Sequence, residues 1–284
     1  MPVSHPASAS EITGTPADLL RRRYGIDQPA EPSEWNGALE AILSHRSVRT
    51  YLPKQVPESV LQLIVAAAQS APTSSSLQAW SVVAVTDPDR KVKLAELGSP
   101  NPQILSAPLF LVWLADLSRL RKVTTERGKT GEGLDYLESF LLGAIDAALA
   151  AQNALVALES LGLGSCYIGA MRNHPEEVGR VLGLPPETFA VFGMTVGYPD
   201  PSVETEIKPR LPQSLVLHRE QYQAVRDEAD LAAYDDVMQS FQTGQGMVVR
   251  GWTNVVANRI ADTAALKGRH VLLDVVRRMG FKVK

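Results

Sequence analysis

Two short cationic stretches lie far apart in the chain and have the composition of an anion-binding site. Residues 45–49 (HRSVR) hold three cationic or potentially cationic side chains and a hydroxyl. In residues 208–210 (KPR) the proline fixes φ, so that the two cations of an extended chain project to the same side. An arginine fork binds two oxygens of a phosphate at once. Together the stretches favour a shared phosphate group, and the alternative is two solvated charged turns.

Two further segments carry residues suited to a flat polar ligand. Residues 74–78 (SSSLQ) offer hydroxyls and an amide, which suit a polyol chain and the edge of a heterocycle, with an ordinary serine-rich loop as the alternative. Residues 162–172 (GLGSCYIGAMR) place glycines after a helix and before a strand. A Rossmann fingerprint needs the order strand, glycines, helix, so we exclude that fold. We expect Gly169 to let a flat ligand approach the backbone closely.

Side chains that perform covalent or metal chemistry do not occur in suitable contexts. Cys166 is the single cysteine and falls in a predicted buried strand, where we expect it to be part of the core. The five histidines show no HxH or HExxH spacing, and no GxSxG motif occurs. We therefore expect no metal site and no catalytic side chain, and we assign the chemistry to a cofactor.

The composition is that of a globular protein with no general affinity for polyanions. Of the 284 residues, 45% are hydrophobic and 21% are charged, and the formal net charge is −3, which argues against binding to nucleic acid or to a membrane surface. The most apolar long segment, 134–163, contains acidic residues, so we expect no membrane span. The single cysteine and the polar N-terminus predict a cytoplasmic protein.

Apolar periodicity and turn residues predict an α+β fold, with helices covering a central sheet. Residues 1–36 are expected to form an N-terminal extension, 37–222 the core, and 223–284 a helical segment that packs on the core or on a partner subunit. A basic run at 21–23 is interpreted as a phosphate site or as a solvated helix end. Predicted helices span 16–24, 37–44, 58–70, 132–161 and 175–182, and predicted strands span 81–86, 109–115, 165–170 and 189–198.

Five segments together carry a family resemblance, namely 45–53 (HRSVRTYLP), 74–78 (SSSLQ), 144–164 (AIDAALAAQNALVALESLGLG), 167–173 (YIGAMRN) and 206–212 (EIKPRLP). In their order and spacing they resemble the FMN-dependent nitroreductase superfamily, in particular its branch of oxygen-insensitive NADPH nitroreductases and NADPH–flavin oxidoreductases. The resemblance implies a nitroreductase-like fold with a mostly antiparallel sheet. It also implies an intertwined homodimer that exchanges C-terminal segments and binds FMN at the subunit interface.

The resemblance also implies which residues contact FMN. Donors or a cation near the flavin pyrimidine stabilise the negative charge that reduction places there. The strand at 167–170 is expected to run along the flavin ring and to offer its backbone N–H groups. The implied phosphate contacts are His45, Arg46, Ser47, Lys208 and Arg210, and the other implied FMN contacts are Arg49, Ser74, Ser75, Gln78, Asn101, Tyr167, Ile168, Gly169 and Ala170.

The activity implied by the resemblance is a two-electron, ping-pong transfer from NADPH or NADH, through FMN, to a nitroaromatic, a quinone or a flavin. In this branch a basic loop after Gln242 binds the 2′-phosphate of NADPH, and this chain has only Arg250 there, so the preference between the two nicotinamides stays open. Two alternatives also stay open. One is a flavin-dependent oxidase or dehalogenase on the same scaffold, and the other is a flavin-binding protein with little turnover.

Overall fold

The computed structural model describes residues 14–26, 32–223 and 228–284. Within it the chain divides into two compact units, each described here by itself. The helical unit consists of Met1–Arg46 and Val203–Leu266, and the sheet unit consists of Ser47–Ser202 and Lys267–Lys284.

The helices are numbered in chain order, and those predicted from the sequence are present within one residue at both ends, with one exception discussed below. The helical unit contains α1 (Pro16–Tyr24), α2 (Gly37–Leu43), α9 (Glu228–Gly244) and α10 (Trp252–Arg259). The sheet unit contains α3 (Glu58–Gln69), α4 (Pro88–Leu97), α5 (Pro102–Ser106), α6 (Ser118–Glu126), α7 (Leu137–Ser160), α8 (Pro175–Leu182) and α11 (Leu272–Arg278).

Four antiparallel strands form the sheet, in the order β1-β2-β4-β3. All eight positions of β2 are buried, as its uninterrupted apolar run predicts for a central strand covered on both faces. The α+β prediction and the mostly antiparallel sheet are thereby confirmed. The strands are β1 (Trp80–Val85), β2 (Leu109–Asp116), β3 (Gly164–Ile168) and β4 (Thr188–Gly197).

The predicted extension of β3 to residue 170 is wrong. Pairing with β4 ends at Ile168, and Gly169–Arg172 form a 3-10 turn in which the N–H of Asn173 donates to the carbonyl of Ala170. The turn buries Met171 completely. Local hydrogen bonds and the burial of one large side chain therefore end the strand two residues early.

Helix α7 begins at Leu137 and not at residue 132. Tyr136 has extended dihedral angles (φ −94°, ψ 153°) and separates α7 from a 3-10 turn at Glu132–Asp135. The face of α7 that joins the core is built from small residues, among them Ala147, Ala150 and Ala154, followed by Leu155 and Leu158. Small side chains allow a helix to lie close to a sheet, which explains why alanine dominates this face.

The leucine stripe that marks α7 in the sequence lies on its outer face. Leu137, Leu141, Ile145 and Leu149 are 40–57% exposed, although they recur at the spacing of one helical face. Among the described residues α7 is also the one helix long and apolar enough to cross a membrane, but its alanine face is packed in the core of the sheet unit. The apolar character of α7 thus has two separate origins, a core face and an uncovered stripe.

In the helical unit, α1 has well-defined ends. Thr15 and Asp18 form a reciprocal capping box at its N-terminus, and Gly25 ends it in the left-handed conformation (φ 71°). A side chain at Gly25 would collide with Val237 of α9, so glycine is required there for space as well as for conformation. Residues 1–13 and 27–31 of the expected extension lie outside the described residues, and the expected boundaries after 36 and 222 stay predictions.

Candidate functional site

One buried arginine of the helical unit joins the two cationic stretches. The guanidinium of Arg23 donates to the carbonyl oxygen of Lys208 at 3.0 Å and to those of Leu43 and His45 at 2.8 Å each. Arg23 is only 7% exposed. The backbones of His45 and Lys208, more than 160 residues apart in sequence, are therefore bound to the same planar group.

Further contacts complete this cluster, which we call the cationic cluster (His45, Arg46, Lys208 and Arg210, with Arg23 beneath them). Arg46 donates from Nε to Thr205 Oγ1 at 2.9 Å, and the backbone N–H of Arg210 donates to the carbonyl of Arg23 at 2.8 Å. The Arg210 guanidinium is exposed, whereas the Lys208 side chain is half-buried. Four residues with permanently cationic side chains thus lie in segments that are hydrogen-bonded to one another, in a chain whose net charge is negative, and they offer the kinds of donor that bind a phosphate dianion.

Helix α9 supports the same cluster. Tyr234 donates from its hydroxyl to the carbonyl of Pro209 at 3.1 Å, and burial raises the pKa of this tyrosine. Pro209 itself is buried. The segment between the two cations is therefore fixed by a proline ring and by a hydrogen bond to its carbonyl.

In the sheet unit, the loop at 74–78 has an unusual backbone. Ser75, Ser76 and Gln78 have φ of 48°, 55° and 52°, a region that costs energy for residues with a β-carbon. The buried carboxylate of Asp146 on α7 accepts the N–H of Ser74 at 3.2 Å and that of Ala79 at 3.0 Å. The loop is held at both ends by one side chain, and its serine and glutamine side chains are exposed.

Arg119 of α6 braces the end of this loop. Its Nη2 donates to the carbonyl of Gln78 at 3.0 Å and to that of Trp80, the first residue of β1, at 2.8 Å. Neither Arg119 nor Asp146 was predicted from the sequence as part of the site. For Asp146 a signal existed, because an acidic residue among the alanines of a helix face is costly to bury unless it accepts hydrogen bonds.

Gly169, in the turn after β3, could accommodate a β-carbon. A β-carbon there would meet only the Arg172 guanidinium, at 3.5 Å, so packing within the sheet unit does not demand glycine at this position. Ile168 is buried, and Gly169 and Ala170 are half-buried. Tyr167 points to the other face of β3 with its ring edge-to-face against Phe192 at 5.1 Å, and burial raises its pKa.

The remaining predicted site residues have local roles in the structure. Ser47 pairs with Ser165 in a parallel bridge, and Arg49 is exposed and donates to the carbonyl of Ser47 at 3.3 Å. Asn101 caps α5 by accepting the N–H of Gln103 at 3.2 Å. Arg250 is exposed, and its backbone N–H donates to the side chain of Gln242 at 2.8 Å. Their proposed contacts with FMN or a nicotinamide stay predictions.

Within the described part of the chain, no three or more His, Cys, Asp or Glu side chains cluster in a way that could hold a metal ion.

Comparison with known proteins identifies the class of fold. The solved structure of NfrA1 nitroreductase from Bacillus subtilis superposes with a TM-score of 0.79 at 34% identity, covering 87% of this chain and 99% of that one. The architecture is therefore nitroreductase-like, as the sequence predicted.

Family models and curated relatives give the more specific assignment. The model described as "Nitroreductase family" matches residues 42–198, and "Nitroreductase family, C-terminal domain" matches 208–284. The chain is 36% identical to an NADPH-flavin oxidoreductase of Vibrio harveyi over 80% of its own length and 92% of the relative's. It is 35% identical to an FMN reductase (NADPH) of Bacillus subtilis over 87% of its own length and 98% of the relative's. The chain belongs to the nitroreductase family.

Proposed function

We propose that this protein is an FMN-dependent NAD(P)H oxidoreductase that passes two electrons to a nitroaromatic, a quinone or a flavin. The relatives named above are a flavin oxidoreductase, an FMN reductase and a nitroreductase, and this chain matches each of them over nearly the relative's full length. The observation that carries the proposal is the meeting of His45 and Lys208 on the guanidinium of Arg23. It joins the backbones of the two cationic stretches through one side chain, which supports a shared phosphate subsite.

The residues present fit FMN on three counts. The cationic cluster supplies charge and fork-shaped donors for the phosphate. The exposed hydroxyls and amide of 74–78 suit the ribityl chain and the ring edge, and the absence of a side chain at Gly169 would let a flat ring approach the backbone. When bound, FMN supplies the chemistry of hydride acceptance and two-electron transfer.

The chain contributes binding and electrostatics in this proposal. The cationic cluster would hold the phosphate, and the backbone N–H groups at Gly169 and Ala170, with the exposed guanidinium of Arg49, would offer donors to the ring. Burial raises the pKa of Tyr167, which therefore stays a neutral hydroxyl at physiological pH and is unsuited to be a general base. Cys166 is buried and serves the core. Solvent is left as the source of protons.

We further propose that the protein is a homodimer in which a second copy covers the stripe Leu137, Leu141, Ile145 and Leu149. These four side chains lie along one face of a 24-residue helix and remain exposed within the chain. An apolar stripe of this length on the surface is typical of a protein–protein interface.

The single buried cysteine suits a reducing compartment, and we propose the cytoplasm.

An anaerobic reductive titration tests the proposed activity. The purified protein, loaded with FMN, is mixed with one equivalent of NADPH or of NADH, and the visible absorbance of the flavin is followed. We expect rapid bleaching by at least one of the two, and full recovery on adding a quinone or a nitrofuran. Bound flavin that neither nicotinamide bleaches would contradict the proposal and favour a flavin-binding protein with little turnover.

A further inference from the structure

We propose that Arg23 is a positioning residue that fixes the geometry of the phosphate subsite, and that α1 is the element that holds it there. This inference rests on the proposed function, because it requires that the cationic cluster bind the phosphate of FMN. Arg23 and the whole of α1 precede the family match, which begins at residue 42. The role is therefore assigned from the contacts of this chain alone.

The environment of Arg23 differs from that of a solvated helix end. A guanidinium that is 7% exposed must have its N–H groups satisfied, since an unpaired buried charge is costly. Arg23 satisfies them with backbone carbonyls of Leu43, His45 and Lys208. It thus cross-links the segment that carries Arg46 to the segment that carries Arg210.

Independent contacts fix the position of α1 relative to residues 204–213 of the same unit. Arg22 forms an ion pair with Glu206 at 2.8 Å, and the carbonyl of Arg23 accepts the N–H of Arg210 at 2.8 Å. Gln213 donates to the hydroxyl of Tyr24 at 2.9 Å. The last turn of α1 is therefore attached on both sides of Lys208, so that Arg23 has a defined position before any ligand arrives.

This arrangement lowers the cost of binding a phosphate. Two flexible cationic segments would lose conformational entropy when an anion ordered them, whereas segments already bound to one guanidinium lose less. The effect of Arg23 on affinity should be confined to ligands that carry the phosphate. A residue that merely stabilised the fold would instead affect all flavins alike.

The test compares FMN with riboflavin, which shares the ring and the ribityl chain but lacks the phosphate. Full-length apoprotein is titrated with each flavin for the wild type, Arg23→Gln, Arg23→Lys and the control Arg21→Gln. Arg21 is an exposed arginine on the same helix that bonds Asp18 of its own turn, so its variant matches the charge change. Far-UV circular dichroism and the thermal midpoint report on folding.

We expect Arg23→Gln to weaken FMN binding by about tenfold or more and to leave riboflavin binding within about twofold. Arg23→Lys keeps the charge but lacks the fork that spans separate carbonyls, so it should show most of the same loss. If the glutamine variant does not fold, the comparison of FMN with riboflavin is made with Arg23→Lys. Arg21→Gln should bind both flavins like the wild type.

Two results separate the failure of this inference from the failure of the proposed function. If the wild type prefers FMN but both Arg23 variants keep the same ratio of FMN to riboflavin affinity, Arg23 does not position the subsite. If the wild type binds FMN no better than riboflavin, the cationic cluster is not a phosphate subsite, and the proposed function fails at that point.

Discussion

The buried carboxylate of Asp146 accepts a hydrogen bond from the backbone N–H of Ala79 at 3.0 Å. Its other oxygen accepts the N–H of Ser74 at 3.2 Å, so one helix residue closes both ends of the loop at 74–78. Three residues of that loop have positive φ, which a loop without such fixed ends would relax. The shape of a predicted flavin contact is thus set from within the core.

Replacing Asp146 with asparagine should loosen this loop. The amide keeps one acceptor oxygen and presents a donor to the second N–H, and leaving a buried donor unsatisfied costs about 1–3 kcal/mol. We expect a matching loss in the free energy of unfolding and faster hydrogen exchange at whichever of the Ser74 and Ala79 amides loses its acceptor. The affinities for FMN and for riboflavin should fall together, whereas substitution of Arg23 should weaken FMN binding alone. Glu138→Gln, an exposed change on the same helix, is the control, and equal exchange rates in the two variants would contradict this account.

Asp135 should make the stability depend on pH in acid. Hydrogen bonds from Lys282, and then from Arg121 and Lys284, hold the pKa of this carboxyl far below its ordinary value. Because the folded-state pKa is depressed, the stabilisation is present above the unfolded-state pKa of about 4 and is lost as the pH falls further. Urea unfolding of Asp135→Asn between pH 6 and about pH 3 should therefore show a weaker pH dependence than the wild type. If the free energy of unfolding varied with pH equally in the two proteins, Asp135 would contribute nothing to the pH dependence of stability.

The stripe on α7 predicts a dimer that a charge will disrupt. Leu141→Glu combined with Ile145→Glu places two carboxylates in the middle of the proposed interface, where they would lose their hydration. Sedimentation velocity should report a dimer for the wild type and a monomer for the double variant. Val92→Glu, at an exposed apolar position of α4, should remain dimeric. A wild type that sediments as a monomer would refute the interface.

Arg250 should affect NADPH more than NADH. It is the one cation between Gln242 and Trp252, and its side chain is exposed. Since an exposed ion pair contributes little, Arg250→Ala should raise the KM for NADPH by about two- to fivefold and leave the KM for NADH unchanged. Steady-state kinetics with both nicotinamides and one quinone measure the difference. An equal change for both would mean that Arg250 does not contact the 2′-phosphate.

The sequence predicted well those helices and strands that are determined by the residues within and beside them in the chain. The continuous apolar run of β2 and the helical stretch at 16–24 are local patterns, and both elements occur where predicted. The end of β3 was missed, because the turn at Gly169–Arg172 depends on burying Met171. Periodicity showed that α7 has an apolar stripe but not which face enters the core, and the alanine face does.

For the candidate site, residue types were informative and long-range roles were not. The cationic stretches could be recognised from their composition, and the structure brings His45 and Lys208 to one guanidinium. The identity of that guanidinium was not predictable, since Arg21, Arg22 and Arg23 are adjacent in sequence and only the last is buried. Their different roles follow from the long-range contacts of α1 with Leu43, His45 and Lys208, which no local pattern encodes.

The central claim is that the cationic cluster binds the phosphate of FMN, and its most direct test is the FMN affinity of the double variant Lys208→Ala/Arg210→Ala. Each charge-assisted hydrogen bond contributes about 1.5–3 kcal/mol, so the loss of both cations should weaken FMN binding by at least about a hundredfold. We expect a folded, colourless protein whose binding of riboflavin is unchanged. A yellow protein that holds FMN with wild-type affinity would contradict it.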